Sequence, residues 1–112
     1  MARTDKVVFA VEDGRVVVTP YYAQFYVGQE IRFEAAPGTP WALEFHGKRS
    51  PEGPGGATVA HGNGARMWPR LVARRTGHFG YSVALTGPDS RLEYTVFMDA
   101  ACPEIIIDAQ EE

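Results

Sequence analysis

The sequence predicts an all-β protein, a single antiparallel Greek-key β-sandwich. Three observations carry that expectation. Period-two alternation of apolar residues dominates, no window sustains a helical apolar repeat over three turns, and 12 glycines with 8 prolines punctuate the alternation. With 112 residues, 45% hydrophobic and 22% charged, the chain can bury one core and has no room for two, so 1–112 reads as one domain.

The elements follow in order. Val7, Phe9 and Val11 alternate with Val8, Ala10 and Glu12, and Asp13-Gly14 signals a two-residue hairpin into Arg15–Thr19, closed by Pro20. Ala23 to Val27 reads as a short strand ended by Gly28. Ile31, Phe33 and Ala35 share one face of the next segment, and after the turn Pro37–Pro40 so do Trp41, Leu43 and Phe45. Residues 47–66 are dense in glycine and proline and poor in large apolar side chains, which predicts a long surface loop. Met67, Trp68, Leu71 and Val72 resume an apolar pattern, and Pro69 among them marks an edge strand. Phe79, Tyr81, Val83 and Leu85 alternate cleanly, then Leu92, Tyr94, Val96 and Met98 less regularly. Ile105 and Ile107 form the last strand, with 109–112 a frayed tail. The expected core is Phe9, Val18, Ile31, Phe33, Leu43, Phe79, Tyr81, Val83 and Val96.

The order of these segments resembles a known fold family. Val27-Gly28-Gln29-Glu30-Ile31-Arg32-Phe33, followed by Trp41-Ala42-Leu43-Glu44-Phe45, is similar to the V-G-D-x-V-x-F entry of cupredoxins. Thr76-Gly77-His78-Phe79-Gly80-Tyr81-Ser82-Val83 resembles the P-G-x-Y-x-Y-x-C strand. Cys102-Pro103-Glu104-Ile105-Ile106-Ile107-Asp108 resembles the D-P-x-I-I-I-D ending of copper-free cupredoxin-like domains. The resemblance implies a Greek-key sandwich without the family's copper chemistry. A blue-copper site needs two imidazoles, a thiolate and a weak axial thioether. Here the first imidazole position carries Trp41 and the thiolate position Val83, and no Cys, His or Met lies between Val83 and Phe97.

Function classes narrow by residue chemistry. No apolar run approaches the roughly 20 residues of a membrane helix, no signal-peptide h-region follows Met1, and one cysteine allows no intrachain disulfide. These features predict a soluble, cytoplasmic protein with no membrane partner. Net charge is -3 but uneven: -2 over 1–46, +5 over 47–76 (Lys48, Arg49, Arg66, Arg70, Arg74 and Arg75 against Glu52) and -6 over 77–112. That balance is too weak for a nucleic-acid-binding domain. The basic stripe either steers an anionic partner or matches the protein's own carboxylates. Neither Gly53-Pro54-Gly55-Gly56 nor Gly62-Asn63-Gly64 sits in the strand–helix context a phosphate loop needs.

His46, His61 and His78 have none of the tight spacings of zinc or copper sites, and His78 reads as solvent-facing. Cys102 has no imidazole near it in sequence and reads as a small buried apolar residue. No catalytic set, cofactor or metal is therefore predicted. The expected function is non-catalytic binding of a protein partner, with a homodimer included, through Met67, Trp68, Arg70, Arg74 and Arg75. Trp, Met and Arg are the types enriched at interface cores. The alternative is a small metal-binding protein or enzyme built on His46 and His61.

Overall fold

The computed structural model describes residues 3–86, 93–95 and 102–110. Among them are twelve short strands: β1 (Val7–Glu12), β2 (Arg15–Thr19), β3 (Tyr22–Tyr26), β4 (Glu30–Ile31), β5 (Phe33–Glu34), β6 (Pro40–Phe45), β7 (Val59–Asn63), β8 (Arg66–Trp68), β9 (Leu71–Val72), β10 (Gly77–Thr86), β11 (Glu93–Thr95) and β12 (Glu104–Asp108). A single 3-10 turn, His46–Lys48, follows β6. No helix among the described residues is long and apolar enough to cross a membrane.

The large sheet runs β3-β12-β10-β6-β7-β8, with β11 alongside the end of β10, and β2-β1-β5 and β4-β9 form two smaller sheets. The fold is all-β and sandwich-like. It is not purely antiparallel, however: β5 runs parallel to β1 and β12 parallel to β3. Side-chain alternation is the same for either direction, so the sequence pattern carries no signal for this difference.

Aromatic rings join the layers. Phe9 of β1 packs edge-on to Trp41 of β6 with centroids 5.4 Å apart, and Phe33 of β5 meets Tyr81 of β10 at 5.4 Å. Every residue of the expected core is buried except Val96, which lies outside the described residues. The first hairpin closes through Asp13 and Gly14, both at positive φ (51° and 73°). That is the backbone a two-residue turn requires to match the strand twist.

The expected loop 47–66 is only partly a loop, because Val59–Asn63 form β7 and pair with β6. The strand escapes a search for large apolar residues because its inward positions are Ala60 and Gly62, with Gly64 just beyond, all buried. Trp41 fills the space over Gly62, and its Nε1 donates to the Gly64 carbonyl at 3.0 Å. The remaining stretch is ordered by hydrogen bonds. Glu52 accepts from the backbone N–H of Ala57 and Val72, Arg75 Nε donates to the Ser50 carbonyl, and Arg74 N–H to that of Pro51. Pro69 likewise divides the expected edge strand: β8 joins the large sheet, and β9 pairs with β4.

Candidate functional site

Strand alternation sends Met67 and Trp68 to opposite sides. Met67 packs against the core, whereas Trp68 is 48% exposed on the outer face of the large sheet. Trp68 is the register partner of His61, and the two rings stack at 5.9 Å with an interplanar angle of 26°. The Arg66 guanidinium, two residues back on the same face, lies 5.5 Å from the indole centroid. These three planar groups cap the end of the sheet, and β8 pairs with no further strand on its outer side among the described residues. Ala42 continues the row from His61, and Ala84 from Ala42, so a shallow trough of about 210 Å³ opens on this face between Pro40 and Thr86.

Two of the other predicted contact residues, Arg70 and Arg75, have partners of their own. Arg70 Nε donates to Glu30 at 2.7 Å. Arg75 and Arg49 both lie over the buried Phe79 ring, at 5.3 and 4.9 Å, while Arg49 also donates to the His78 carbonyl. Arg74 is exposed. Four of the six basic side chains of the stripe, Arg49, Arg66, Arg70 and Arg75, thus have partners within the fold.

His46 and His61 do not meet. His61 stands opposite Ala42, and His46 lies four residues further along, about 13 Å away at strand rise. No group of three or more metal-ligating side chains occurs among the described residues. His78, exposed as expected, places Nδ1 3.1 Å from a Glu104 carboxylate oxygen.

His46 has different neighbours. Its Nε2 lies 3.1 Å from Ser82 Oγ. Gly80 sits beneath it, and a Cβ there would stand 2.9 Å from Cys102 Sγ and 3.2 Å from His46 Nδ1. Two atoms that close to one point are no more than about 6 Å apart, so an imidazole does approach the thiol. The sequence hid this because 55 residues separate the two, and the register of β10 with β12 brings them together.

Inside the sandwich, the Tyr81 hydroxyl is buried with no hydrogen-bond partner among the described residues. Burial, with Tyr21 and Cys102 nearby, holds this phenol well above its ordinary pKa. A cleft of about 340 Å³ opens between the layers at Phe9, Val11, Thr39 and Leu85. The lining among the described residues is completed by Ala10, Ala36 and Thr86.

The chain matches no protein-family model and no curated protein.

Proposed function

We propose that this chain is a non-catalytic binding module on a copper-free, cupredoxin-like Greek-key scaffold, and that its contact surface is the outer end of β7 and β8. The observation that carries the reading is Trp68, half exposed on an edge strand, stacked on His61 and beside Arg66. A large rigid aromatic held by its neighbours gives contact area at small entropic cost, and an unpaired edge adds backbone donors and acceptors.

The scaffold reading is supported by where the family-like segments fall. Val27–Phe33 leads into β4 and β5, Trp41–Phe45 lies in β6, Thr76–Val83 leads into β10, and Cys102–Asp108 leads through β12. Trp41 and Val83, standing in for copper ligands, point into the core.

A second copy of the chain is the partner this edge suits. A two-fold axis through Met67 would set β8 antiparallel to itself and place Arg66 of one copy opposite Trp68 of the other. No like charges then face each other, and the contact closes on itself. Light scattering over micromolar concentrations should give twice 12.3 kDa for the native chain and 12.3 kDa for Trp68→Ala. A mass of 12.3 kDa throughout, unaffected by the substitution, removes self-association and leaves a different protein as the partner.

A further inference from the structure

The cluster over Gly80 has no part in that contact surface, and its chemistry differs. We infer that Cys102 is a site of covalent modification: a thiolate nucleophile with His46 as its proton partner and Ser82 as the positioning residue, taking a small hydroperoxide as its substrate.

The arrangement has the parts an activated nucleophile needs: a thiol, an imidazole no more than about 6 Å from it and so within reach through one water, and a third group holding the imidazole. Ser82 Oγ engages Nε2, which leaves Nδ1 on the side of Gly80 and Cys102. Glycine at 80 is what permits the approach, since any Cβ would occupy the space against Sγ and Nδ1. Glu44 is the register partner of Ser82, and Glu104 that of Gly80. Of these two carboxylates, Glu104 is already engaged by His78. Tyr81, held protonated by burial, adds no negative charge from the inner side.

Cys102 is 9% exposed, so a two-oxygen reagent fits the site better than a bulky electrophile. In the reaction the thiolate attacks one peroxide oxygen. The S–O bond forms as the O–O bond breaks, and sulfur is oxidised by two electrons. The leaving hydroxide or alkoxide takes the imidazolium proton and departs as water or alcohol. With one cysteine in the chain, the sulfenic acid has no intrachain thiol to condense with and persists for capture.

The experiment treats the folded full chain with hydrogen peroxide at neutral pH and traps sulfenic acid with dimedone, followed by intact mass. The expected result is a single adduct that is absent in Cys102→Ser and forms at least about tenfold more slowly in His46→Gln. That loss reflects the small thiolate fraction of an unassisted cysteine. Ser82→Ala should slow trapping and Ser82→Thr, which keeps the hydroxyl, should restore it. No adduct on the folded chain, or equal rates in the native and His46→Gln proteins, overturns the inference. Should circular dichroism reveal that His46→Gln does not fold, the Ser82 pair decides: an unchanged rate in Ser82→Ala overturns it equally.

Discussion

Gly62→Ala tests the packing that makes β7 a strand. A Cβ at this position would lie 2.0 Å from the Arg66 carbonyl oxygen and 2.6 Å from Trp41 Cζ2, against an ordinary contact of 3.4–4 Å. Relief requires β8 to move away by more than an ångström or the indole to leave its place, and the indole is anchored by its bond to Gly64. Overpacking alone costs about 1–3 kcal/mol. Losing ladder bonds of a three-residue strand adds roughly 1 kcal/mol each. The sum expected is about 3 kcal/mol, a large share of the roughly 5–15 kcal/mol that holds such a domain together. Urea unfolding followed by Trp41 fluorescence measures it. Gly55→Ala is the control: φ is +81° with nothing within 4 Å of the new methyl, so only backbone strain of about 1–2 kcal/mol applies. A loss below about 1 kcal/mol in Gly62→Ala, with unchanged emission, would refute the idea that Trp41 dictates the small residues of β7.

Tyr81→Phe should raise stability by about 1 kcal/mol, because it deletes a buried hydroxyl that has no partner among the described residues; a clear destabilisation in urea refutes this. The same variant should alter the alkaline limb of the stability curve. Above pH of about 10 the unfolded chain loses this phenolic proton while the folded chain keeps it, so native stability falls by about 1.4 kcal/mol per pH unit from this group, and Tyr81→Phe lacks that slope. Glu52→Ala should cost about 2 kcal/mol by leaving the Ala57 and Val72 amides without their acceptor, with amide exchange accelerating at both. Trp68→Ala should leave urea stability within about 0.5 kcal/mol, as expected of a surface substitution, while abolishing self-association.

The sequence was most legible where large apolar residues alternate. Phe79, Tyr81, Val83 and Leu85 announce β10, and Trp41, Leu43 and Phe45 announce β6, because each inward position is filled by its own side chain. β7 was illegible for the converse reason. Its inward Gly62 is small because a residue 21 positions away, Trp41, occupies the volume of any side chain there, and that is information about a neighbour rather than about the segment. The exposed Trp68 was legible as a candidate by residue type, whereas Pro69, read as the mark of one edge strand, separates two strands of different sheets. Its partner His61 was hidden in what read as a loop. The His46–Cys102 approach left no local signal at all, since both the 3-10 turn after β6 and the register of β12 on β10 are tertiary facts.

The charge map misleads if taken as a map of surface. The +5 segment suggests an arginine-driven contact, yet Arg70 is spent on Glu30, and Arg49 and Arg75 cover the two sides of one requirement, the roofing of Phe79. Guanidinium groups suit that task because they are planar and weakly hydrated and lie flat on a ring. What remains at the sheet edge is Arg66 beside Trp68, whose value comes from stacking rather than from a distant opposite charge. An association built there depends on apolar contact and backbone pairing, which salt screens little. One built on the whole basic stripe against acidic residues would weaken steeply as ionic strength rises. On the proposed reading the contact belongs to the edge itself, and its persistence in high salt is the property that separates the two origins.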